Sequence, residues 1–262
     1  MTAWSSRCPK SRSEPLTGAP RNPSLPGGWV ARGVGLMLGL WLAAAGPALA
    51  DRILAAEYGD PTGRYAHGVL GDDLEWGSLE LRLLDGSVRR FLLDESLVFE
   101  DLVPRLYDVD EMAGPEVIVV ESHAEAGARL AVWGPEGRIA ASPFIGRPFR
   151  WLAPVAAGDL DGDGRVEIAY VDRPHLARVL RVWRFEGGEL REIASFEGVS
   201  NHRIGWARIV GGLRACDGAP ELVLPSGDWQ DVLVLKLVDE QIRARRVGAY
   251  SERALDAAMA CD

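Results

Sequence analysis

The sequence has few of the residues on which redox, nucleophilic and transition-metal chemistry depend: 3 cysteines and 4 histidines in 262 residues. No G-x-S-x-G, H-E-x-x-H or C-x-x-C pattern occurs, and no glycine-rich loop is placed to cradle a phosphate. The hydrolase, metalloprotease, thioredoxin-like and nucleotide-binding classes that those motifs mark are therefore not indicated. A surplus of positive charge is also missing, since the formal net charge is -9. Such a surface repels nucleic acid and anionic lipid, so no nucleic-acid partner is expected. Long apolar runs are lacking apart from Gly33 to Ala50, which is short, broken by glycine and followed by charged chain. That excludes a comfortable membrane span and leaves no stable membrane anchor once the segment is removed.

The same run, preceded by Arg32 and ending Ala48-Leu-Ala50, has the form of a secretory signal with cleavage after Ala50. Residues 1–50 are read as a signal peptide with a long, Pro- and Arg-rich n-region, for which Val30 is an alternative start. The leader carries five basic residues against Glu14, and removing those four net positive charges takes -9 to -13. Export predicts a periplasmic or secreted protein, and in an oxidising compartment the two cysteines beyond the leader, Cys216 and Cys261, are expected to form a disulfide.

Self-similarity organises the remainder. Asp108-Val-Asp110…Glu116-Val-Ile-Val-Val, Asp159-Leu-Asp161…Glu167-Ile-Ala-Tyr-Val and Cys216-Asp217…Glu221-Leu-Val-Leu align, with the glutamates 51 and 54 residues apart. One further step back reaches Tyr65 and the run to Leu70. The third repeat reads as four short strands, Leu152–Gly158, Val166–Val171, Val179–Phe185 and Leu190–Phe196, because apolar runs of this length between glycine-bearing turns are strands. Four such units predict an all-β, β-propeller-like domain over residues 51–262, divided at about 51–100, 101–151, 152–203 and 204–250. Leu255, Ala258 and Met259 share one helical face, so residues 251–262 are expected to close the chain with a short helix clipped by Cys261.

The loop Asp159-Leu-Asp161-Gly-Asp163-Gly-Arg165-Val-Glu167 places alternate carboxylates where they converge. Calcium requires six or more oxygens, and Asp159, Asp161, Asp163, the Arg165 carbonyl and Glu167 are the candidate ligands. An EF-hand is excluded, since its closing glutamate stands at position twelve between helices whereas here it stands at nine beside a strand. With this motif running into the strand Ile168–Val171, the chain resembles the FG-GAP or VCBS repeat proteins. The resemblance implies a propeller blade whose first interstrand loop binds Ca2+. The literal FG and GAP signatures are absent, and only the third repeat has the full set of acids. Met112 stands where the second repeat would need its third acid, and Cys216 enters the turn of the fourth.

In a meandering blade, the loops on the opposite face bring together Asp72 and Trp76, Glu121 and His123, Asp172 and His175, and Asp228 and Trp229. Arg147, Phe149, Arg150 and Trp151, then Asn201, His202 and Arg203, join them from the connections between repeats. This collection is the candidate ligand face, suited to a protein or glycan partner, and His123, His175 and His202 are a possible zinc set. The competing reading makes each of them an ordinary polar loop residue or a packing aromatic. A non-catalytic binding or scaffold protein is the expected function. A metal-dependent hydrolase working from the loop face and a subunit completing a larger propeller are the alternatives.

Overall fold

The computed structural model describes residues 51–110, 112 and 114–262; the signal-peptide reading and Cys8 lie outside them. The described chain is nearly all β. Its strands are β1 (Ile53–Thr62), β2 (Glu75–Leu83), β3 (Val88–Leu92), β4 (Leu97–Phe99), β5 (Arg105–Tyr107), β6 (Glu116–His123), β7 (Gly127–Gly134), β8 (Gly137–Ala141), β9 (Leu152–Gly158), β10 (Glu167–Asp172), β11 (Val179–Glu186), β12 (Glu189–Glu197), β13 (Gly212–Arg214), β14 (Glu221–Pro225), β15 (Asp231–Val238) and β16 (Gln241–Ala249), followed by helix α1 (Glu252–Met259).

Two sheets are simple four-stranded antiparallel meanders, β9 to β12 and β13 to β16. The strands of the third repeat start and stop within a residue or so of the positions expected from the apolar runs. The first two repeats do not separate: they form one eight-stranded sheet. The joint is made by β4, which meets β2 at Trp76↔Phe99 and then pairs with β6 from Leu97↔His123 to Phe99↔Glu121. β5 pairs with the other half of β6, so β4 and β5 together line one side of β6, interrupted by residues 100–104.

The strand that follows each acidic loop has few polar residues because both of its faces are covered. Ile118 and Val120 of β6 share a core with Ile168 and Tyr170 of β10, while Val117 and Val119 turn to the opposite core with Leu79, Leu81 and Leu83 of β2. Ala169 and Val171 meet Leu222 and Leu224 of β14 in a third core. Val223, on the other side of β14, packs with Val232, Val234 and the helix residues Leu255 and Ala258. Alternation with period two thus assigns successive side chains of one strand to two different layers. The last strand, β16, is instead mostly exposed and carries arginines at 243, 245 and 246, charge of the kind that disfavours edge-to-edge pairing.

Each sheet is open. At the last sheet the free face is occupied by α1, whose N-cap Ser251 accepts a bond from the Ala254 amide at 3.0 Å. The helix is tied back to the β13–β14 loop by the Cys216–Cys261 disulfide.

The first repeat departs from the expected register. Tyr65 to Leu70 is not a strand but part of a crossing loop between β1 and β2. It finds no partner strand, and its apolar side chains are used elsewhere: Val69 and Leu70 enter the core between β6 and β10. The Tyr65 hydroxyl accepts the Phe149 amide at 2.8 Å, and the Gly205 amide donates to the Val69 carbonyl at 3.0 Å. Gly71 is required at the crossing, since at φ 101° a Cβ would lie 2.9 Å from the Gly205 carbonyl oxygen.

The disulfide spans 45 residues of sequence. Chain-entropy arithmetic for such a loop gives about 4 kcal/mol of stabilisation. Cys261→Ser is expected to lower the urea-unfolding free energy by a few kcal/mol and to release α1 first, seen as loss of helical circular dichroism ahead of the main transition.

Candidate metal centre and loop-face cleft

The acidic loop between β9 and β10 is held by its own carboxylates. Asp159 accepts backbone N–H bonds from Gly162 at 2.6 Å, Asp163 at 3.1 Å and Gly164 at 3.0 Å. Gly162 and Gly164 both lie in the left-handed region, φ 83° and 86°, which lets those amides turn inward. Glu167, at the start of β10, accepts the Leu160 amide at 2.9 Å with one oxygen.

Its other oxygen faces a residue that motif reading does not find. Arg184, on β11 opposite Glu167, is only 1 % exposed. Its Nε donates to Glu167 Oε1 at 2.6 Å and its Nη2 lies 2.8 Å from Asp161 and 3.2 Å from Asp163. A buried guanidinium is thus already seated among three of the four acids. Arg165 enters with its side chain, pairing with Asp163, and that hydrogen bond holds the Asp163 carboxyl down to about 2. Burial raises Glu167 above the usual carboxylate range, against the pull of the Leu160 amide and Arg184. Oxygens of Asp159, Asp161 and Glu167 lie within 4.8 Å of one another, an arrangement able to hold a metal ion. The missed arginine had a signal: a charged residue on a strand otherwise buried, directly across from a repeat glutamate.

The other repeats vary this arrangement. Glu116 Oε2 accepts the Val109 amide at 2.9 Å, the same seven-residue reach as in the third repeat. Val117 pairs with Trp133, so the place held by Arg184 is here taken by Gly134. Burial then raises Glu116 to about 7, with Asp110 and Asp108 adding to the effect. Despite Met112, Asp108, Asp110 and Glu116 also bring oxygens within 4.8 Å. In the fourth repeat Arg214 donates to Glu221 at 2.7 Å and 3.0 Å, and with Arg245 it outweighs burial to lower the Glu221 carboxyl.

On the opposite face, three residues expected to meet a ligand are structural instead. Glu121 is fully buried, accepting from Trp133 Nε1 and Arg138 Nε at 2.8 Å and from Arg129 at 2.6 Å. Asp172 is buried between Arg173 at 2.8 Å and Arg181 at 3.0 Å. Trp76 lies within β2 and stacks against Tyr58. Asp72 caps the Leu74 amide at 3.0 Å, and Asp228 is tied to Ser226 Oγ at 2.6 Å, a bond that lowers its carboxyl. Each of these four carboxylates already has hydrogen-bond partners within the chain.

The histidines divide. His123 accepts the Glu125 amide at 3.1 Å beside Phe144, and among the described residues it does not join His175 and His202 in a metal-sized group. The latter two do meet, His175 Nε2 to His202 Nδ1 at 2.9 Å. His202 Nε2 lies 2.8 Å from the Trp206 carbonyl and must donate there, so its Nδ1 accepts from His175. Burial, with His202 next, pulls His175 down to about 4. His175 lines a cavity of about 240 Å³ together with Phe149, Trp151, Leu176, Ile204 and His67. The last was not anticipated, because it comes from the crossing loop; its Nδ1 lies 2.5 Å from the buried Glu100. Trp229, φ 62°, sits apart from this cavity with Trp206, Tyr250 and Arg203.

No protein-family model and no curated protein matches the sequence. Solved structures that align with it include two rhamnogalacturonan lyases, YesW and the exotype enzyme YesX. The first has a TM-score of 0.40 and 15% identity over 69% of this chain and 44% of that one; the second has 0.39 and 12% over 72% and 48%. The chain spans less than half the length of either.

One buried acid near the cleft sets a pH dependence. Glu75 is 2% exposed and is raised to about 9, by burial first and then by Glu100 and Asp72. Between its ordinary pKa of 4.5 and about 9 the folded state holds a proton that the unfolded state has released, so this group removes stability as pH rises through that window. Glu75→Gln is expected to match the parent at pH 4 and to exceed it in urea midpoint at pH 8, the gap widening steadily between them.

Proposed function

We propose that this chain is an exported, non-catalytic binding or scaffold protein of the cell envelope, periplasmic or secreted. Its domain is β-propeller-like, built from four repeats, and Ca2+ at the Asp159–Glu167 loop staples the third. The observation that carries the metal reading is that oxygens of Asp159, Asp161 and Glu167 lie within 4.8 Å of one another. Hard carboxylate oxygens at that spacing suit calcium. Arg184 occupies one side of it, so the ion would share Asp161 and Glu167 with the guanidinium and take Asp159 from its backbone bonds. The role is structural, because no nucleophile and base are paired beside the loop.

Repetition is supported by the glutamates that open β6, β10 and β14, two of which reach back seven residues to an amide. Export is supported by the form of residues 33–50 and by the Cys216–Cys261 bond, which belongs to an oxidising compartment. No helix among the described residues is long and apolar enough to cross a membrane. A binding role, to a protein or a glycan, is supported by the loop-face cavity, where apolar and imidazole groups converge without a reactive hydroxyl or thiol lining it.

Thermal unfolding of residues 51–262 in EDTA and in millimolar calcium tests the metal reading. Calcium is expected to raise Tm by several degrees in the parent and to have no effect in Asp161→Ala; an unchanged parent would refute it. Arg184→Gln removes the partner of a buried carboxylate and is expected to cost about 3–5 kcal/mol in EDTA. Calcium should recover a larger share of stability in that variant than in the parent, as read from urea midpoints.

A further inference from the structure

Exposed apolar side chains converge at the loop-face cavity. Phe149, Leu176 and Ile204 are 47%, 64% and 72% exposed, and all three line the same space of about 240 Å³. Trp151 fixes its floor, 2% exposed and donating from Nε1 to the Glu100 carbonyl at 2.8 Å. Phe149 is held with φ 52°, a conformation uncommon for a non-glycine residue. Its ring stacks on Tyr65 at 5.0 Å and its amide is bound by the Tyr65 hydroxyl, so the aromatic edge of the cavity is positioned before anything binds. His175 is neutral at ordinary pH, and the charge of Arg173 is consumed by Asp172.

Beside this uncharged interior stands one unmatched cation. Arg150 lines the cavity, its Nη1 donating to the Phe149 carbonyl at 2.8 Å, and it makes no ion pair with a carboxylate among the described residues. An apolar recess bordered by a guanidinium without a carboxylate partner is complementary to an apolar anchor with an anionic group beside it.

We propose that the cavity is a docking site for a partner protein, which inserts one apolar side chain between Phe149, Leu176 and Ile204 and presents a flanking carboxylate to Arg150. The proposal rests on the binding-protein reading above and specifies its partner. A protein is favoured over a glycan on two grounds. Leu176 and Ile204 offer a sugar neither hydrogen bonds nor a flat π face. The Trp206 and Trp229 faces that could stack on a sugar are covered by Arg208 at 4.5 Å and Arg203 at 4.3 Å. The volume suits a single side chain, since pockets for larger ligands run to about 300–1,000 Å³.

The test selects a random dodecapeptide display library on the immobilised chain of residues 51–262. Enriched peptides are then measured by fluorescence anisotropy against the parent, Leu176→Glu, Ile204→Glu and Arg150→Glu. All three positions are exposed or half-buried at the rim, and a Tm close to that of the parent confirms folding. The expected peptides carry an aromatic or aliphatic residue flanked by an acidic one, and each variant weakens them about tenfold or more. Absence of enrichment, peptides without acidic flanks, or affinities unmoved by Leu176→Glu and Ile204→Glu would overturn the proposal. So would an alginate oligomer that binds the parent and displaces the peptides, which assigns the cleft to acidic glycans. Calcium-dependent melting is recorded on the same samples; an intact response without peptide binding rejects the docking site and leaves the metal-stapled domain standing.

Discussion

Consecutive side chains of β10 belong to different cores: Ile168 and Tyr170 to one, Ala169 and Val171 to the next. β6 and β14 are divided in the same way, and this two-sided burial is the constraint from which the rest of the structure follows. A strand covered on both faces has no solvent side on which to place charge, so charged residues are confined to its ends. Glu116, Glu167 and Glu221 stand at the entry end, and Glu121 and Asp172 near the exit end of the first two of these strands. The acidic loops and the loop face are thus the two rims of a stack of sheets, and both kinds of site arise because the middle of the stack is closed to polar groups.

Burying acids at the rims demands cations, and the arrangement found at each one differs. Glu121 is shared by Arg129 and Arg138, Asp172 by Arg173 and Arg181, and Glu167 by Arg184. Guanidinium groups suit this because they stay charged and offer several donors in one plane. Where the matching cation is absent the carboxyl is forced upward, as at Glu116 opposite Gly134 and at Glu75 beside Glu100. The contrast between Arg184 and Gly134 makes the two acidic loops electrically unlike, although their backbone bonds to the repeat glutamate are the same length.

Much of the architecture was legible because it depends on local pattern. The four strands of the third repeat, the C-terminal helix and the Cys216–Cys261 pair all follow from apolar runs, a helical face and a count of cysteines. The first repeat was less legible, since the short apolar run ending at Leu70 aligns with the strand positions of the other repeats yet lies in the crossing loop, where Val69 and Leu70 enter the core. At the candidate sites the carboxylates could be read from their spacing, whereas their partners could not. Arg184 reaches Asp161 from 23 residues away, and His67 reaches Glu100 from 33, distances over which only strand register brings groups together. Glu121 and Trp76 looked like loop-face residues for the same reason, and at Asp172 the adjacent Arg173 gave no sign of Arg181, which reaches it across the strand pair.

The placement of α1 has a consequence for assembly. Sheets that stack face to face are extensible in principle, because each added layer presents the apolar surface that recruits another. Here Leu255 and Ala258 cover Val223, Val232 and Val234, and Cys261 bolts the helix in place. The outer face of the last sheet is thus closed by two turns of helix fastened with a covalent bond, where the other sheets present that face to a neighbouring layer.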